Sequence, residues 1–177
     1  MIGGFVFALY AIELVDVMAA NRLDREGIRP QDRDGLTGVL FAPLLHAGWG
    51  HLAANTVPLL VLGFLILLAG TAHWIAVTAT VWLVGGLGIW LVAPPQTVHL
   101  GASILIFGWL VFLILRGFFS GRGGEIALGL LVLFLYGGLL WGVLPGQAGV
   151  SWQGHLFGAI GGGIAAATLA DRRPDRV

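Results

Sequence analysis

The chain has 177 residues, 58% of them hydrophobic and only 10% charged, against roughly 25% charged in soluble domains. It therefore reads as an all-α integral membrane protein, and the apolar runs leave little room for a second domain. Nine basic and nine acidic side chains balance to zero net charge, which points to no nucleic acid or anionic surface as partner, and the lack of cysteine excludes disulfides, thiol nucleophiles and cysteine metal sites.

The first apolar span covers about residues 2–20 and carries Glu13 and Asp16 in its second half. No basic stretch precedes it, so it does not read as a cleavable signal. Acids inside a span default to a functional hypothesis, here a proton relay. Their place near the span's end favours a structural role instead, with Arg22 or Arg25 within reach and the next loop anchored. That loop, Asn21 to Gly50, is long. Residues 21–34 hold four arginines and four acids, while Gly35 to Trp49 is apolar but broken by Pro43 and glycines. The second part reads as an interfacial or re-entrant piece.

Five more spans follow, at about 51–69, 73–93, 101–117, 126–143 and 152–170, making six within a single domain of residues 1–170. Residues 171–177 form a polar tail. Arg116 and Arg122, and the tail's Arg172, Arg173 and Arg176, fall on one side of such a topology. The positive-inside rule then makes both termini cytoplasmic. The arginines of the first loop run against the rule, but its acids and length weaken that objection. All nine bases are arginine, and with 29 glycines this suggests a bacterial source, hence a bacterial plasma membrane.

Spans two, four and six then run from outside to inside. His51, Ser103 and His155 fall near their starts, about 2–8 Å below the outer end. Asn55 lies one turn below His51 on the same face. Ser103 and His155 are the candidate nucleophile and base, because a serine hydroxyl attacks only when a neighbour such as neutral imidazole takes its proton. Gly101 and Ala102 precede the serine, and Gly154, Gly158 and Gly162 repeat every four residues around His155, small side chains that let helices approach. The plainer reading is a glycine packing stripe and an interfacial histidine. His51 and Asn55 are candidate donors to an oxyanion, or else helix caps and glue. His46 and His51 lack a carboxylate partner and a zinc spacing, so no metal is expected. His73 and His99 sit at loop ends; His99, four residues before Ser103, is in reach of the site. The sequence holds no His-Glu-x-x-His, no aspartate pair on separate spans and no phosphate loop.

Three motifs taken together, His46-Ala-Gly-Trp-Gly-His51-Leu-Ala-Ala-Asn55, Gly101-Ala-Ser103 and His155-Leu-Phe-Gly158-Ala-Ile-Gly-Gly162, resemble the rhomboid intramembrane serine proteases over about residues 1–170. The resemblance implies a six-transmembrane-helix bundle with a long membrane-associated first loop and no cofactor. Ser103 would be the nucleophile and His155 the base, with His51, Asn55 and the Ser103 N–H holding the oxyanion. Phe107 would pack on the catalytic histidine, and Gly101, Gly158 and Gly162 would pack helices. The fifth span would be the lateral gate, and the substrate a single-span membrane protein cut near the outer end of its helix. One departure stands out: the family pattern Gly-x-Ser-Gly ends here in Ile104, a side chain expected to crowd the site. Two other readings remain open: a rhomboid-like protein that binds membrane helices without cutting them, and a small transporter using Glu13, Asp16 and the histidines.

Overall fold

The computed structural model describes residues 1–170; the polar tail 171–177, with three of the arginines used above for orientation, lies outside them. Regular structure among the described residues is helical, apart from one antiparallel bridge between Ile28 and His99. The principal helices are α1 (Ile2–Met18), a short α2 (Gly38–Phe41), α3 (Trp49–Leu67), α4 (Thr71–Val92), α5 (Ser103–Ser120), α6 (Gly123–Tyr136) and α7 (Trp152–Leu169). Four stretches are long and apolar enough to cross a membrane: α3, α4, α5, and α6 with its 3₁₀ continuation to Val143. The protein is thus an integral membrane protein. By the same measure α1, with 17 residues, is too short, and the glycines, Gln153 and His155 of α7 make it less apolar. The expected fifth span is not one continuous α-helix: it tightens into 3₁₀ geometry from Gly137 to Val143.

α5 is the axle of the fold. It is apolar on nearly every side, as a helix must be when neighbours surround it, and its buried set runs from Ile104 to Ser120. It ends at Gly121, whose positive φ of 66° lets its N–H reach back to the Gly117 carbonyl at 3.0 Å. α7 packs chiefly against α5 and α4. Its glycines are the reason: a Cβ on Gly158 would strike the Ile104 carbonyl, one on Gly162 the Gly108 carbonyl, and one on Gly161 would lie 2.9 Å from the Val81 Cα. Backbones meet almost directly, which is how helices gain contact where lipid already solvates apolar side chains.

The connection between α1 and α3 is folded onto the bundle. Ile28 and His99 exchange backbone hydrogen bonds of 2.8 and 3.0 Å, and the indole N–H groups of Trp82 and Trp90 donate to the carbonyls of Val39 (2.7 Å) and Asp32 (2.8 Å). Asp16, buried in α1, accepts from the Leu23 N–H at 2.7 Å and so ties down the start of this connection. Arg22 and Arg25, expected to reach Glu13 or Asp16, make no ion pair with them among the described residues. Asp24 is the nearer neighbour, its carboxyl held above its ordinary range by burial and by Asp16.

At the far end of the bundle, α5 and α6 are clamped together. Glu125 accepts from Arg116 Nη2 and from Ser120 Oγ, each at 2.7 Å. Gly117 leaves room for the backbone of Glu125 and Ile126 to press against α5.

Candidate active site

Three helix starts converge at one end of the bundle. Ser103 is the first residue of α5, so its N–H has no intrahelical carbonyl to reach. His155 lies in the first turn of α7, and His51 and Asn55 in the first two turns of α3. Their side chains line one cavity of about 630 Å³, together with Phe107, His99, Gly142 and Ser151.

Ser103 Oγ lies 3.0 Å from His155 Nε2. The other ring nitrogen, Nδ1, lies 2.9 Å from the Gly142 carbonyl oxygen. A carbonyl can only accept, so Nδ1 carries the proton and a neutral ring leaves Nε2 to accept from the serine hydroxyl. Phe107 stacks on this imidazole, with centroids 3.9 Å apart and planes 8° from parallel. Gly142 has to be small here: a Cβ would lie 2.8 Å from Phe107 Cζ and 3.0 Å from His155 Nδ1. Sequence reasoning missed Gly142, because a backbone acceptor in a loop leaves no residue-type signal.

Asn55 is 7% exposed, and its Nδ2 is buried without a hydrogen-bond partner. An unpaired buried amide is costly, and this one belongs to a residue lining the cavity. His51 is edged against the His46 ring, their centroids 5.2 Å apart. His46 Nε2 accepts the Ala102 N–H at 3.3 Å, which pins the residue before Ser103. Burial, with His51 alongside, pushes the His46 pKa from 6.5 down to about 3. Gly101 sits in the turn before α5 rather than on a helix face. Its φ is +121°, and a Cβ there would lie 2.7 Å from His51 Cε1, so what it admits is the His51 ring. His73 lies over Phe112 at the start of α4, outside the cavity lining.

Ile104 does not crowd the cavity. It is buried and absent from the cavity wall. Its Cγ2 fills the place a Cβ on Gly85 would take, and its Cγ1 would be 3.3 Å from a Cβ on Gly154. A glycine of α4 supplies the notch that the side chain after the serine needs.

Comparison with known proteins identifies the family. Residues 33–172 match the family model described as the rhomboid domain. An uncharacterized protein of Mycobacterium tuberculosis is 55% identical over 174 residues, covering 94% of this chain and 72% of that protein. One of Mycobacterium leprae is 52% identical over 183 residues, covering 96% and 72%. The Bacillus subtilis protein YdcA, provisionally named a rhomboid protease, is 30% identical over 121 residues, covering 67% and 60%. No solved structure matches the chain.

Proposed function

This chain belongs to the rhomboid family, and on that premise we propose that it is an intramembrane serine endopeptidase working with a Ser103–His155 dyad. The observation that carries the reading is the 3.0 Å contact between Ser103 Oγ and His155 Nε2 in a cavity shared with the unpaired Asn55 amide. Ser103 Oγ attacks the scissile carbonyl while His155 Nε2 takes its proton. The Ser103 N–H, Asn55 Nδ2 and His51 stabilise the oxyanion as it forms, when donors fixed in advance are worth most. His155 then protonates the leaving amine, and the acyl-enzyme is hydrolysed by water that His155 deprotonates. No carboxylate is needed to orient the ring, since the Gly142 carbonyl sets its tautomer and Phe107 its plane.

In this reading α1 and α7 also cross the membrane, giving six spans with both termini cytoplasmic, and the connection between α1 and α3 is membrane-associated. The site then opens near the outer face of a bacterial plasma membrane, where water can enter. The substrate is a single-span membrane protein cut near the outer end of its helix. It enters past α6 and its 3₁₀ continuation, the least buried of the four long apolar stretches. Domain extent is residues 1–170. The packing of Ile104 offers no support to a helix-binding protein without activity.

The test is labelling by a fluorophosphonate in detergent, beside cleavage of a reporter with one transmembrane helix. Wild type should label, and Ser103→Ala and His155→Ala should neither label nor cleave while remaining folded. Cleavage that persists in pure Ser103→Ala protein sinks the mechanism.

A further inference from the structure

Ser103 and His155 are not the only serine–histidine contact between these two segments. His99 Nδ1 lies 2.6 Å from Ser151 Oγ, and this pair too is separated by 52 residues. His99 stands four residues before Ser103, and Ser151 four before His155. The two contacts are successive rungs between the start of α5 and the start of α7, with the residue types exchanged.

The donors of the outer rung can be assigned in turn. Thr97 Oγ1 gives its proton to the Pro94 carbonyl at 2.6 Å, which leaves its lone pairs to accept from His99 Nε2–H at 2.8 Å. In a neutral ring Nδ1 is then an acceptor, and the Ser151 hydroxyl donates to it. The same Ser151 oxygen accepts the Gly154 N–H at 3.2 Å, making Ser151 the N-cap of α7. Donation runs one way from Gly154 to Pro94, the arrangement in which neighbouring hydrogen bonds strengthen one another. The His99 backbone is itself fixed by its pair of bonds to Ile28. Its side chain is 7% exposed, and burial lowers its pKa, which favours the neutral ring this chain of bonds requires.

We propose that His99 is a positioning residue for the Ser103–His155 pair, acting through Ser151 at the N-cap of α7. This rests on the serine-protease reading above. Glycine contacts set how closely α7 approaches α5, but a glycine face has few ridges to resist sliding along the axis. The His99–Ser151 rung, one turn from the reacting atoms, fixes that register and with it the Nε2–Oγ distance.

The experiment uses the full chain in detergent, with His99→Leu, His99→Asn, Ser151→Ala and the His99→Leu/Ser151→Ala double variant. Two readouts are taken on samples shown to be folded by thermal melting: the rate of fluorophosphonate labelling at Ser103, and the ¹⁵N imidazole spectrum of His155. His99→Leu should slow labelling about fivefold, and Ser151→Ala, which also loses the cap bond to Gly154, about tenfold; the double variant should fall no further than Ser151→Ala, because both cut one rung. His99→Asn, whose Oδ1 can accept from Ser151, should recover most of the rate. The His155 signals should shift in His99→Leu and return in His99→Asn. Unchanged rates, losses that multiply in the double variant, or an unmoved His155 spectrum overturn the proposal. So does labelling that transfers to Ser151 in Ser103→Ala, which would make Ser151 a nucleophile. Wild-type protein that never labels while its His155 spectrum still responds to His99 refutes the protease reading alone. Should His99→Leu fail to fold, Ser151→Ala and His99→Asn still decide the matter on both readouts.

Discussion

Replacing Asn55 by leucine separates what this side chain does for the reaction from what it does for the fold. Its Nδ2 makes no hydrogen bond to any protein group among the described residues, so it adds nothing to the fold, and a buried amide left unsatisfied costs about 1–3 kcal/mol. Leucine has similar bulk and no polar atom to satisfy. After some loss from its bulkier methyl groups, the variant should be as stable as wild type or more stable by about 1 kcal/mol, near 2–4 °C in melting temperature for a chain this long. In the proposed reaction the same amide finds its acceptor only when the oxyanion forms. Losing one preorganised donor lowers kcat about 10²–10³-fold. With His51 and the Ser103 N–H still present, the lower end is expected, and KM should move little. The assay is cleavage of a transmembrane reporter over a range of reporter concentrations, beside thermal melting in the same detergent. A variant that melts several degrees lower, or that cleaves at the wild-type rate, would falsify the assignment of Asn55 as a donor held in reserve for the oxyanion.

Other outcomes follow from the same geometry. Gly85→Ala should cost about 1–3 kcal/mol by overpacking against Ile104; combined with Ile104→Ala it should lose less than the sum of the two single changes, and strictly additive melting shifts would show that the notch is not formed as described. Phe107→Ala removes a ring stacked at 3.9 Å on His155, an aromatic contact worth about 0.5–1.5 kcal/mol, and should slow labelling of Ser103 up to about tenfold, whereas Phe107→Tyr should not. His46 is depressed from 6.5 to about 3 in the folded protein, so between those values the unfolded chain binds a proton that the native one refuses. Stability should therefore fall as pH drops below about 6.5, by up to about 1.4 kcal/mol per pH unit from this residue. His46→Gln should make the dependence shallower, with His99, also lowered by burial, contributing in the same direction, and a melting profile equally steep in that variant would assign it elsewhere.

The sequence was most readable where a signal is carried by residue type. Apolar runs marked the long helices, and polar residues near the starts of three of them marked the cavity's principal side chains. It was least readable where function rests on backbone or on shape. Nothing in residue type marks the Gly142 carbonyl as the partner of His155 Nδ1. The expectation that Ile104 would crowd the serine came from reading it beside its chain neighbours, while its real surroundings are Gly85 on α4 and Gly154 on α7. Arg22 and Arg25 looked like partners for Glu13 and Asp16 by proximity in sequence, yet the chain turns at Ala20 and Asn21, both with positive φ, and brings the Leu23 N–H to Asp16 instead. His99 was legible as a residue near the site, but its bond to Ser151 depends on how two distant segments align.

The two ends of α6 are held very differently, an arrangement that would let the helix act as a lever. One end is gripped by Glu125 through Arg116 and Ser120; the other runs on into the 3₁₀ segment that presents the Gly142 carbonyl to His155. The fourteen residues of α6 measure about 21 Å. A swing of about 10° around the Glu125 fulcrum would carry the opposite tip through roughly 4 Å, enough to pull Gly142 away from His155. On the proposed route past α6, admitting a substrate helix and freeing the imidazole to turn would be one motion, so a widely parted protein would be open and idle. The proposed hydrolysis would resume only as the helix settled back around its substrate.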